Sequence, residues 1–222
     1  MNAIESPRPD PKWDQSLGEE LANSISHGFG LIAALIGAPI LMLAAWRGGD
    51  RYFFIGAVVF SAAVVLVYLG STLYHAWPRG AIKSVFQVID HSAIFLLIAG
   101  TYTPFTLGPL RGAWGWTILG LVWALAIFGV ILKSVHGTER RKRLSMTLYL
   151  GMGWLILIAF RPLILHMPIP SLAWLVAGGI AYTAGVFFFV SKRNRFTHFV
   201  WHLFVLLGTT CHFFAIFSCA AV

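Results

Sequence analysis

The chain has 222 residues, 58% of them hydrophobic and only 11% charged, with two cysteines and a formal net charge of +8. A soluble domain carries about 25% charged residues, so the composition points to a polytopic membrane protein and leaves no room for a separate soluble domain. The positive charge needs no nucleic acid to explain it. Anionic lipid headgroups are the expected neighbours of basic loops, and membrane lipids the expected partners.

Residues 1–22 read as a flexible cytoplasmic tail, with Pro7, Pro9 and Pro11 set among charges. The order is not that of a signal peptide, in which a basic stretch precedes an apolar one. Dividing the remainder at its charged residues leaves seven long apolar gaps, and only Asp90 interrupts one of them. All seven reach the roughly 17–25 residues that a helix needs to cross the hydrocarbon core, with 144–160 at the lower limit. The fold class predicted is all-α, a single domain over 23–222 built as a bundle of seven transmembrane helices.

In chain order the helices are expected at 23–46, 52–76, 83–107, 113–134, 145–161, 172–191 and 197–219. Gly48-Gly49-Asp50 makes the first turn and Trp77-Pro78-Arg79-Gly80 the second. Pro104 ends or kinks the third helix. Pro162, Pro168 and Pro170 mark a long connection before the sixth.

Lys and Arg in alternate loops set the orientation. Twelve lie on the side of the N-terminus: Arg8, Lys12, Arg79, Lys83, Lys133, Arg140 to Arg143, Lys192, Arg193 and Arg195. Four lie on the other side: Arg47, Arg51, Arg111 and Arg161. The N-terminus is therefore expected in the cytoplasm and the C-terminus outside.

Ionisable side chains inside a span are costly and mark functional sites. Here they are His75, Asp90, His198 and His202. His198 and His202 are four apart and share a helix face, and Ser71 with His75 repeats that spacing. His75 lies at the inner end of the second helix, Asp90 about two turns into the third, and the other two in the first turns of the seventh. At about 1.5 Å rise per residue, all four fall within roughly 10 Å of one depth.

Three imidazoles suit zinc, which takes three protein ligands and keeps a fourth position open when catalytic. Asp90 then serves as the proton acceptor and Ser71 as a hydrogen-bond donor. Plainer readings also exist. The histidine pair can bond neighbouring helices, Ser71 its own helix carbonyl, and Asp90 the ammonium of Lys83.

The remaining polar residues are less telling. His91 points about 100° away from Asp90. His212 lies about 15 Å beyond His202, which suits an ordinary interhelical contact. Glu20, Asn23 and His27 form one stripe at the entrance to the first helix, either a plain interfacial face or the border of the metal cavity. Cys211 and Cys219 are too far apart to bridge and read as packing residues.

The sequence resembles the hemolysin III family of bacterial membrane proteins. The likeness rests on Glu20-x-x-Asn23-x-x-x-His27, Ser71-x-x-x-His75, Asp90-His91, Gly100-Thr101-Tyr102-Thr103-Pro104, and the run from His198 through His202 to His212-Phe213. That family is similar to the eukaryotic progestin and adipoQ receptors and, more distantly, to alkaline ceramidases. The resemblance implies a zinc ion near the cytoplasmic face held by His75, His198 and His202, with Asp90 contacting its water. It also implies a multi-pass protein of the bacterial inner membrane.

The function expected is zinc-dependent hydrolysis of a membrane lipid amide or ester. The alternatives are a cytolysin, or a non-enzymatic receptor or regulator of membrane homeostasis with a structural zinc. Neither substrate identity nor oligomeric state is legible in the sequence.

Overall fold

In lipid every backbone N–H and C=O must be paired within the protein, and an α-helix does this inside one segment. The computed structural model describes residues 15–138, 140–191 and 195–220. Tail residues 1–14, including Arg8 and Lys12, lie outside the described residues, as do Lys192 and Arg193. Among the described residues seven helices are long and apolar enough to span a membrane: α1 (Leu17–Arg47), α2 (Arg51–Ala76), α3 (Ala81–Leu107), α4 (Ala113–His136), α5 (Lys142–His166), α6 (Ile169–Val190) and α7 (Thr197–Ala220). No strand occurs among the described residues. The chain is an all-α, multi-pass membrane protein.

Two boundaries differ most from the sequence expectation. Helix α1 starts at Leu17 rather than at residue 23, because Ser16 and Glu19 form a capping box. The Ser16 hydroxyl accepts from the Glu19 N–H at 3.4 Å, and the Glu19 carboxylate accepts from the Ser16 N–H at 2.9 Å. This reciprocal pairing satisfies orphan donors of the first turn.

The second difference is α5, which runs to His166 with a 3₁₀ stretch at Leu155–Ala159. The long connection expected around the prolines shrinks to Met167 and Pro168. Pro162 falls in the first turn after the 3₁₀ stretch, and Pro170 in the first turn of α6. In a helix's first turn the missing N–H would have had no helical partner. Helix α3 likewise continues through Pro104 to Leu107.

The amphipathicity is inverted relative to a soluble helix. On α1, Leu21, Ile25, Phe29, Ile32, Ile36, Ile40 and Leu43 are exposed at helical spacing. The opposite face buries Asn23, Ser26, His27 and Gly30. Apolar side chains facing outward suit a lipid solvent, which gives them no reason to turn inward.

Neighbours in the chain are neighbours in space. α1 packs on α2 and α7, α2 on α3, α3 on α4, and α6 on α7. α5 touches α3, α4 and α6 more loosely. The α2–α3 contact depends on two glycines. A Cβ at Gly56 would sit 2.4 Å from the Cα of Pro104, and one at Gly100 would sit 2.7 Å from the Cβ of Ala63. Small residues at such crossings let two backbones approach closely in lipid. Toward the other end of the same pair, a Cβ at Gly70 would lie 3.7 Å from the Cα of Asp90, so the end of α2 that carries Ser71 and His75 rests against the start of α3.

Candidate metal centre

His75 comes from the last turn of α2, and His198 with His202 from the first two turns of α7. One ring nitrogen from each of the three lies within 4.8 Å of the other two, close enough to share a metal ion. The ring centroids of His75 are 5.3 Å from His198 and 5.0 Å from His202, and those of His198 and His202 are 4.7 Å apart. Sequence spacing places the two α7 histidines on one face, and the packing of α7 against α1 and α2 brings His75 to them.

The partners of the rings decide which nitrogen is offered. His75 Nδ1 lies 2.7 Å from Glu20 Oε2. An ionised carboxylate only accepts, so Nδ1 carries the proton and Nε2 presents its lone pair. His202 Nδ1 faces the backbone oxygen of Asn23 at 3.3 Å and the Ser26 hydroxyl at 3.3 Å. Ser26 already donates to the same Asn23 oxygen at 2.9 Å, and a carbonyl only accepts, so His202 also donates through Nδ1. The Nε2 atoms of His75 and His198 are buried without a hydrogen-bond partner. Buried polar atoms without partners are uncommon in native folds, and here they converge.

Asp90 and Ser71 belong to the same layer, though the Asp90 carboxylate is not in the 4.8 Å group. Asp90 is buried and lines the adjoining cavity. Ser71 is fully buried, and its hydroxyl faces the Asp90 carboxylate. It therefore does not bond back to its own helix.

Lys83 is engaged by Glu20, with Nζ 3.1 Å from Oε1, and by the backbone oxygens of Tyr74 and Trp77 at 2.7 and 3.2 Å. His91 turns its Nδ1 to the Gln87 oxygen at 2.8 Å. His212 makes the interhelical contact expected of it, Nε2 to the Leu175 oxygen at 3.3 Å. Cys211 is buried, and the Cys219 thiol donates to the Ser171 hydroxyl at 3.2 Å. Neither cysteine is bridged.

The stripe of Glu20, Asn23 and His27 on α1 is no plain interfacial face. All three border the histidine group, with His27 stacked on His202 at a centroid distance of 3.6 Å. The sequence signal for this was the Ser16-x-x-Glu19 capping box, which puts Glu20 and Asn23 in the first turns of the helix.

Beyond the histidines a cavity of about 560 Å³ opens between α3, α5, α6 and α7. Asp90, His91, His198 and His202 mark its polar end, and apolar side chains such as Leu97, Phe105 and Val176 line the rest. Its size is that of a site for a small organic molecule or part of a lipid. The looser packing of α5 against α6 leaves the space for it.

The family model described as Haemolysin-III related matches residues 15–213, nearly the whole chain and every residue of this site. The chain belongs to the haemolysin-III family. It is 40% identical over 208 residues to the Hemolysin-3 homolog of Bacillus subtilis (strain 168), covering 93% of this chain and 97% of that one. It is 42% identical over 205 residues to Hemolysin-3 of Bacillus cereus, covering 92% and 93%. A more distant likeness, 28% over 213 residues, reaches the Monocyte to macrophage differentiation factor of Homo sapiens, covering 90% and 84%. No solved structure matches. Seven apolar helices and bacterial haemolysin-III relatives together make this a multi-pass protein of the bacterial plasma membrane.

Proposed function

We propose that this haemolysin-III protein is a zinc-dependent hydrolase of a membrane lipid amide or ester, working at the cytoplasmic side of the bilayer. The observation that carries the reading is the convergence of three imidazoles, two of which line the polar end of an apolar cavity within a membrane-spanning bundle. The donor set fits zinc, which accepts neutral imidazole readily and leaves a fourth position open when only three side chains bind. The cysteines that usually close a structural site are elsewhere. Zinc bound there supplies Lewis-acid activation of water and of an acyl carbonyl.

The chain's own residues do the rest. His75, His198 and His202 hold the ion. The apolar wall receives an acyl chain and keeps bulk water away, which strengthens every polar interaction at the reacting carbon. Asp90, the carboxylate at the cavity's polar end, takes the proton from attacking water and returns it to the nitrogen or oxygen that leaves. Ser71, whose buried hydroxyl lies beside the Asp90 carboxylate, donates to the carbonyl oxygen on which charge develops.

Metal analysis of the purified protein tests the reading at its base. Zinc at one ion per chain, lost in His202→Ala, is the expected result. Its absence from wild-type protein ends the proposal.

The name of the Bacillus cereus relative, Hemolysin-3, favours a second reading, lysis of other membranes. Physical chemistry weighs against it. Seven apolar helices with outward-facing Leu, Ile and Phe have no ready route out of the membrane in which they are made. Leakage of dye from liposomes by purified protein, independent of His202, would establish lysis instead.

A further inference from the structure

Glu20 ties three helices together beside one of the candidate ligands. Its carboxylate, on the first turn of α1, places Oε2 2.7 Å from His75 Nδ1 and Oε1 3.1 Å from Lys83 Nζ. The Lys83 side chain is only 1% exposed. It enters from the first turn of α3, donates to the Tyr74 and Trp77 oxygens at the end of α2, and lies 4.7 Å from the Tyr74 ring centroid. The C-terminal carbonyls of a helix attract a cation, so Lys83 is held from both sides and in turn fixes Glu20.

Such a buried charge pair is weak evidence for a stabilising role, since desolvation can exceed the Coulombic gain. Its position is more informative. Metal-bound histidines usually donate their second ring N–H to a carboxylate, carbonyl or water, which sets the tautomer and orientation and makes the ligating nitrogen more basic. Glu20 stands in that relation to His75, and the Asn23 carbonyl to His202, both from the start of α1.

We propose that Glu20 is a positioning residue of the metal centre: held by Lys83, it keeps His75 protonated at Nδ1 with Nε2 turned to the ion. The inference rests on the reading of the three histidines as metal ligands. It makes the N-terminal turn of α1, which carries no ligand, part of the machinery that sets metal affinity.

The test uses full-length protein in detergent and titrates zinc and cobalt against a competing chelator, in wild type, Glu20→Ala and Glu20→Gln. Glu20→Ala is expected to weaken metal binding by about 10–100-fold, the effect seen for outer partners of metal ligands. Glu20→Gln is nearly isosteric and keeps an oxygen that accepts from Nδ1, so it is expected to lose less. At full loading, the visible absorption of cobalt is expected to shift in Glu20→Gln, which a merely structural role would not cause.

Histidine nitrogen chemical shifts of the loaded wild-type protein provide a reading that needs no variant. They are expected to show His75 protonated at Nδ1 and bound through Nε2. Affinities within twofold of wild type in both variants, or the opposite tautomer, overturn the role of Glu20 alone. A wild-type protein that binds no divalent ion overturns the metal centre and this inference together.

Discussion

The imidazole of His27 lies flat on that of His202, with the ring planes inclined by 6°. The His27 ring is buried and meets His202 through its face. Stacked pairs contribute about 0.5–1.5 kcal/mol beyond area burial, which is roughly 2–12-fold in an equilibrium constant. His27→Ala is expected to weaken metal binding by that factor, and His27→Phe to restore most of it. Chelator competition on the two variants reads the difference.

Of the histidines in the spans, the three that converge should behave unlike His212. His198→Ala and His202→Ala are each expected to abolish stoichiometric metal. His212→Ala removes a bond to the Leu175 oxygen and leaves metal content unchanged. Elemental analysis of the three variants after identical purification checks this, and a loss of metal in His212→Ala would mean the ligand set is wrong.

Asp90→Asn keeps the shape of the side chain and removes its basicity. If Asp90 moves the proton during hydrolysis, metal content stays at the wild-type level while turnover falls by about 10²–10⁴-fold, the usual range for a general acid–base group. Product release from a panel of acyl amides and esters in detergent micelles is the measurement. Wild-type rates in the variant would exclude the role.

Gly56→Ala should separate α2 from α3. The added Cβ would meet the backbone of Pro104, with the nitrogen at 2.7 Å and Cα at 2.4 Å, and neither can swing aside as a side chain would. Overpacking costs about 1–3 kcal/mol, and about 2–4 °C of thermal midpoint accompanies each kcal/mol at this chain length. A thermal melt in detergent is expected to show that decrease. An unchanged midpoint would mean that the close crossing contributes nothing.

At the same end of α2 as Gly56 but outside the spans, Asp50 caps the helix by accepting from the Tyr52 and Phe53 N–H groups and pairs with Arg111 at 2.9 Å. Partial burial pushes its pKa up, but the two backbone N–H bonds and the Arg111 guanidinium outweigh this and hold it below the usual carboxylate range. Stability from Asp50 is therefore present above the unfolded value of about 4 and is lost as pH falls through the lower folded value. Asp50→Ala is expected to cost about 1 kcal/mol at neutral pH, as for other helix caps. Its melting temperature should also fall less on acidification than that of wild type.

Much of this is legible in the sequence. Gaps between charged residues marked seven spans because lipid excludes charge, and that count survives although two boundaries moved. His198 and His202 were paired by helical period alone. Glu20 stood out as part of a polar stripe, but its role did not, because its partners, His75 and Lys83, lie on other helices. That the Ser71 hydroxyl faces Asp90 rather than its own helix was equally hidden, since a sequence cannot show which acceptor a serine meets.

By itself, then, the sequence determined the solvent of the protein, its number of crossings and the helical faces carrying polar residues. These follow from local composition and from the fixed period of the helix. Only the tertiary structure decided that His75 reaches the α7 pair, that Glu20 and the Asn23 carbonyl orient the rings, and that a cavity opens where α5 packs loosely. Each of those depends on how close two helices come, and small residues such as Gly56 and Gly100 set that distance without leaving a periodic signal of their own.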